Sequence, residues 1–304
     1  MVGANTRAVP SSSRGGDRMA RMLFGDISPF TYRISLRKMI VLRQIRNLTH
    51  RVRFAVRKAE PLPVLLYSHN SLIRRTLGNV DLQLQENKAV NLSLAAPHIN
   101  GVLIRPGETF SFWHLVGATT AGRGYRDGLT ISSGRATSGL GGGICQFTNL
   151  LHWMVLHSPL TITEHHHHDS LDLFPDFNRQ IPFGSGTSVM FNYLDYRVRN
   201  DTDQDFQFVV TTTPEYLLGE LRTTTALGVK FHIRETDAYF YEHDHEVYRH
   251  NRVYRSTRSK ITGNEIEREL LIESDARVAY DRSLITSEIR PPQQRAHRLE
   301  QDVA

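Results

Sequence analysis

A single cysteine, Cys145, stands among the 304 residues, so no intramolecular disulfide can staple the fold. No apolar run approaches the roughly eighteen residues that a membrane-crossing helix needs. Residues 1–10 hold no apolar h-region, and Arg and Lys break up the apolar residues between 22 and 48 every few positions. A standard secretory signal is therefore not expected. The compartment this implies is the cytoplasm or the inner face of a membrane, with an extracytoplasmic place only by unconventional export. There is no internal repeat, and the two spaced ligand pairs typical of zinc sites are missing. At 39% hydrophobic and 22% charged residues, the chain is neither a disordered polyelectrolyte nor a disulfide-dense miniprotein. Its length suits one large domain or two ordinary ones.

Net positive charge is confined to one end. Residues 1–60 hold 13 Lys and Arg against 3 Asp and Glu, whereas the remaining 244 hold 24 against 28. The basic character thus belongs to the N-terminal fifth, which excludes nucleic acid as a partner of the whole chain. Val41, Ile45, Leu48, Val52 and Val56 recur at three- and four-residue steps, with Arg43, Arg46, Arg51, Arg53, Arg57 and Lys58 mostly off that stripe. This reads as a helix over 33–58. Either it packs its stripe on a core and shows a solvated basic face, or residues 33–58 make peripheral contact with an anionic membrane.

Beyond Pro61 and Pro63 a linker leads to a second helix over Gln83–Asn100, with Pro97 as its kink or end. Val102–Ile104, Arg105-Pro106-Gly107-Glu108 and Thr109–Phe112 read as strand–turn–strand. A glycine-dense stretch over 117–143 carries a strand near Leu129–Ser132. Ile144–His157 is a helix with Phe147, Leu150, Leu151, Met154 and Val155 as its buried stripe, stopped by Ser158-Pro159. After it the period falls to two. Leu160–Glu164 reads as a strand running into the histidines, Val189–Asn200 and Asp205–Thr213 are strand-like, and β-rich runs fill Glu220–Tyr280, with a turn at Thr262-Gly263-Asn264. The fold class is α+β: an antiparallel sheet packed on a central helix that starts at Cys145. Five segments follow: a flexible start at 1–20, a basic helical region and linker at 21–84, a central domain at 85–215, a β-rich extension at 216–290 and a polar tail at 291–304.

The chemistry centres on Gly141-Gly142-Gly143-Ile144-Cys145-Gln146. Glycines permit close backbone approach or positive φ. A thiol in the first turn of a helix sits where unpaired N–H groups and the helix dipole favour its thiolate. With Gly141, Gly142 and Gly143, the amides of Cys145 and Gln146 can form an oxyanion hole. That is what cysteine acyl transfer requires. A base is available in Glu164-His165-His166-His167-His168-Asp169. On a strand, His166 and His168 share one face and His165 and His167 the other, and one of the first pair can bond the thiol. Against this stand two plainer possibilities: Cys145 as a small buried hydrophobe, and His165, His166, His167 and His168 as a metal site. No cofactor is implied.

Taken together, Asn91-Leu92-Ser93-Leu94-Ala95-Ala96, Asn100-Gly101, Arg105 to Phe112, Gly141 to Gln146, Leu156 to Ile162, the histidine run and Asp195 to Asn200 resemble the VanW family, that of the vancomycin B-type resistance accessory protein, over roughly 85–215. The resemblance implies a setting of glycopeptide resistance and cell-wall metabolism, with a peptidoglycan stem peptide or precursor as partner. In large relatives it implies cysteine-dependent L,D-transpeptidase activity, with the nucleophile falling on Cys145 and the histidine motif on His166 and His168. A non-enzymatic accessory module binding such a peptide is the alternative. This sequence departs from the family pattern at Ser185-Gly186-Thr187-Ser188-Val189, where an aspartate is absent. If that aspartate orients a base in relatives, this chain either lacks it or uses Asp169 or Asp195.

Overall fold

The computed structural model describes residues 28–74, 82–132, 135–167, 171–173, 175, 180–191 and 193–291. The expected start at 1–20 lies outside them, as does nearly all of the tail. The architecture is α+β, as the patterning indicates. A four-stranded antiparallel sheet runs in the order β1 (Val64–Leu72), β10 (Tyr216–Thr223), β9 (Phe206–Thr212), β2 (Val102–Ile104). Two helices cover one face of it, α2 (Leu82–Ile99) and α4 (Cys145–Leu156). Leu92, Ala95 and Ile99 from α2, Phe147, Leu150, Leu151 and Met154 from α4, and Phe206, Phe208, Leu217 and Leu221 from the strands are all sealed from solvent. Burial of this kind is the main stabilising term. Gly219 lets α4 lie close, since a Cβ there would stand 2.8 Å from Leu150 and 2.9 Å from Met154.

Smaller sheets frame this core. β3 (Thr109–Ser111) pairs with β8 (Arg197–Arg199), which also pairs with β6 (Thr161–Glu164). So β2 and β3, on either side of the Arg105–Glu108 turn, belong to different sheets. α3 (Phe112–Val116) follows β3 directly, and β4 (Asp127–Ser132) and β5 (Arg135–Leu140) form a hairpin. Beyond β10, β11 (Val229–His243), β12 (Glu246–Ser259) and β13 (Glu265–Val278) make a long antiparallel meander. Short parallel strands β14 (Ile289–Arg290) and β7 (Leu171–Asp172) border it. The meander grips the segment after the histidines, where Asn251 donates to the Phe183 carbonyl at 2.9 Å and Arg249 lies over the Phe183 ring.

The structure revises three readings. The stretch 61–84 is not a linker: β1 lies within it and takes an edge of the main sheet, pairing with β10 from Val64↔Thr223 to Leu72↔Tyr216. The central sheet therefore draws one strand from each side of 85–215. The basic helix α1 (Pro29–Thr49) starts earlier than 33 and ends nine residues short of 58. After Arg51, at φ 48°, the chain is extended, and it bonds β3 through Ala55 N to Thr109 O (3.0 Å) and Thr109 N to Arg53 O (2.7 Å). Val52 and Val56 thus leave the helical stripe. The expected strand over Val189–Asn200 is regular only at β8; the rest wraps past α4.

β1 holds α4 at both ends. The Gln146 side chain donates to Ser71 Oγ (2.9 Å) and to the Leu72 carbonyl (2.8 Å). At the far end Trp153 Nε1 donates to Tyr67 Oη at 3.1 Å, and His157 stacks on the Tyr67 ring at 3.8 Å. Burial lowers the His157 pKa to about 4, so this ring is neutral. The entry into α4 is set by backbone contact: a Cβ on Gly142 would fall 2.1 Å from Gly128 O, and one on Gly143, at φ +87°, 2.2 Å from the Lys88 stem. Among the described residues nothing lies within 4 Å of a Cβ on Gly122. Gly142→Ala should therefore cost about 1–3 kcal/mol or more, and Gly122→Ala less than about 0.5 kcal/mol, as read by denaturant unfolding. Equal losses would refute the backbone-contact account.

Candidate functional site

The glycines before Cys145 serve packing. Gly141 N donates to Arg126 O (2.9 Å), Gly142 N to Gly139 O (2.9 Å) and Gly143 N to Leu129 O (2.8 Å). Gln146 N closes a turn onto Gly143 O at 3.1 Å. Of the five amides expected to hold an oxyanion, these four are already bonded, which leaves that of Cys145. The amides that favour a thiolate on Cys145 are its own and that of Val189. Val189 enters the site only through the fold and carries no signal in the sequence.

Cys145 is the first residue of α4 and keeps part of its surface exposed. Burial nevertheless pushes its thiol above the ordinary value, and the two amides only partly offset this. The expectation of a lowered pKa is thus reversed: removing the sulfur from water outweighs the helix terminus. Among the described residues no histidine hydrogen-bonds the thiol.

The wall opposite α4 is the segment Ser185–Val189. Thr187 N and Oγ1 both donate to Asn149 Oδ1, at 2.6 and 2.9 Å. Thr148 bonds Thr187 Oγ1 and donates to Cys145 O at 3.1 Å. The hydroxyls of Ser185 and Ser188 are buried and have no hydrogen-bond partner among the described residues, the kind of group that a polar ligand pairs with. Asn149 and His152 follow Cys145 by four and seven residues. That spacing, one helix face, is the signal that could have found them.

The histidines leave the strand after Glu164 but keep an alternation. His165 stacks flat on His152 at 4.3 Å and 5°, and its Nε2 donates to Gly186 O at 2.9 Å. His152 is buried beside Tyr196 (Nδ1 to Oη 3.3 Å), and burial drives its pKa well down, so it is neutral. His167 lies against Gly186. With His165, Gly184 and Leu271–Ser274 it lines an open cleft of about 290 Å³. His165 and His167 are therefore the pair on the α4 side. His166 instead places Nε2 3.0 Å from Glu164 Oε1. His168 and Asp169 lie outside the described residues. Asp195 is engaged elsewhere, accepting from Ser111 Oγ at 2.5 Å, Trp113 N at 3.0 Å and Arg197 Nε at 2.7 Å. Among the described residues no three His, Cys, Asp or Glu side chains converge as a metal site.

Glu164 joins this region to α1. Arg43 clasps it with two bonds of 2.7 and 2.8 Å, and the Asp195 amide donates to it at 2.9 Å. Burial pushes the carboxyl up, but Arg43, the Asp195 amide and His166 overcome this and hold it at about 2.

A family model described as VanW like protein matches residues 87–222. Over 219 residues the chain is 35% identical to the vancomycin B-type resistance protein VanW of Enterococcus faecalis (strain ATCC 700802 / V583), covering 72% of this chain and 79% of that protein. Over 122 residues it is 31% identical to the uncharacterized protein YoaR of Bacillus subtilis (strain 168), covering 39% of this chain and 37% of that one. No solved structure matches.

Two expectations follow from the electrostatics. The alkylation rate of Cys145 in the folded protein should titrate with a midpoint above the free-thiol value of about 8.5; a lower midpoint would show that the helix terminus prevails. Because the folded pKa of Glu164 is depressed, its stabilisation is full above the ordinary value of 4.5 and is lost as pH falls through about 2. Glu164→Gln should thus destabilise by about 1–3 kcal/mol at neutral pH, a gap that closes across that window in urea unfolding.

Proposed function

The chain belongs to the VanW family, and on that premise we propose that it serves glycopeptide resistance and cell-wall metabolism by thiol-dependent acyl transfer on peptidoglycan stem peptides. The observation that carries the reading is the seat of Cys145: a nucleophile at the start of α4, within reach of two amides, beside a wall with unpartnered buried hydroxyls. The thiol is held protonated, so attack requires a base. His166 is committed to Glu164, and the role falls to His167, on the α4 side, or to the adjacent His168.

In the proposed reaction the thiol proton passes to that imidazole as sulfur attacks the peptide carbonyl. The carbonyl electrons move to oxygen, where the amides of Cys145 and Val189 donate to the oxyanion. Collapse breaks the C–N bond, the imidazolium protonates the departing amine, and a thioester remains. An amine acceptor then gives a cross-link, and water gives hydrolysis. A protonated resting thiol guards against unproductive oxidation and alkylation.

The raised thiol pKa supports a second reading, a non-enzymatic module in which Ser185 and Ser188 bind a stem peptide and Cys145 only packs. Purified protein incubated with disaccharide-tetrapeptide muropeptides, read by mass spectrometry, separates the two. Acyl transfer predicts a thioester adduct or new products, lost by at least about a thousandfold in Cys145→Ala, and strongly reduced in His167→Ala or His168→Ala but not in His166→Ala. Binding alone predicts no product and a ligand-induced rise in Tm that survives Cys145→Ala.

A further inference from the structure

Helix α1 turns an apolar ridge to solvent. Its N-terminus is closed by a capping box between Ser28 and Thr31, with bonds of 2.9 and 3.2 Å. Two polar side chains anchor its inward face: Arg43 reaches Glu164 and the Tyr193 carbonyl, and Asn47 accepts from Arg197 at 2.8 Å. Five of its apolar residues form an outward ridge. Phe30 is 71% exposed, Ile34 41%, Val41 53%, Ile45 50% and Leu48 77%. At about 100° per residue these five fall within roughly 60° of arc, on the side away from Arg43 and Asn47. Arg37 and Lys38 flank them, both exposed. The packing expected of the stripe at Val41, Ile45 and Leu48 is therefore not found.

The charge of the segment identifies what the stripe suits. Between Pro29 and Ala59 there are nine Lys and Arg and no Asp or Glu. A second copy of the helix laid on the first would bring like charges together, and nucleic acid offers no apolar receptor for the stripe. An anionic lipid surface satisfies both features, with acyl chains for the ridge and headgroups for its cationic flanks. No described helix is long and apolar enough to cross a membrane. We infer that α1 is an interfacial anchor that lies in the surface of an anionic bilayer. The Arg43–Glu164 clasp then fixes the domain, with the histidine segment that follows Glu164, to that surface. The inference is independent of any reaction at Cys145.

The test is flotation of the full chain with vesicles of phosphatidylcholine mixed with phosphatidylglycerol, and with phosphatidylcholine alone. Binding should require phosphatidylglycerol and weaken with salt. Ile45→Asp combined with Leu48→Asp, and Arg37→Glu combined with Lys38→Glu, should each cut the bound fraction at least about tenfold. The unfolding midpoint should stay in place, because these side chains face solvent. Equal binding to neutral vesicles, or binding that survives the two aspartates, would overturn the inference. So would a dimer in sedimentation that those aspartates dissolve, since the stripe would then belong to a second copy.

Discussion

The backbone of Gly142 rests directly on that of Gly128, with no room for a single carbon between them. This contact fixes where α4 begins, and the rest of the candidate site is measured from that point. It aims the first residue of the helix at Val189, sets Asn149 against Thr187 one turn on, and sets His152 against His165 after that. Side chains can drift between rotamers, but two backbones in contact cannot drift without moving whole strands. The three glycines therefore act upstream of the chemistry as its datum.

Two strong local fields oppose each other at the site. The helix terminus and the amides of Cys145 and Val189 pull the thiol toward its anion, and burial pulls harder the other way. At Glu164 the balance is reversed. Burial again opposes the charge, but a bidentate guanidinium, an amide and an imidazole together overcome it. The difference is the number and charge of the donors. The loop thus holds a neutral nucleophile in one place and a permanent anion in another, a few residues from the same histidines.

The helix around Cys145 was fully legible, because Phe147, Leu150, Leu151 and Met154 keep strict helical spacing and Ser158-Pro159 ends the run. The glycines were legible as a special loop, but not their partner Gly128, which is distant in sequence. β1 was missed. Val64–Leu72 mixes Tyr67, Ser68, His69 and Asn70 among its aliphatics, and its partner β10 lies far down the chain, so no local alternation marks it. The stripe of α1 was found, but its direction was left open between a core and a membrane surface. Periodicity reports that a helix has two faces; only the distant Glu164 and Arg197 decide which one docks. At the histidines His165 and His167 share a side and His166 turns away, but that pair, not the expected His166 and His168, lies toward α4, and Ser185–Val189 stood out only as a departure from the family resemblance, not as a wall of the site.

The pairing of β1 with β10 has a consequence for how the molecule is made. Val64 meets Thr223 across almost the entire domain, so closing the sheet means closing a very long loop. During synthesis, β1 leaves the ribosome well before its partner exists, and α4 emerges before the strand that will hold both its ends has a neighbour. High contact order of this kind favours slow folding and a late, concerted assembly. The domain cannot ripen piece by piece. Until the chain has grown past Thr223, the thiol has no fixed surroundings, and whatever reactivity the fold confers or withholds is acquired all at once.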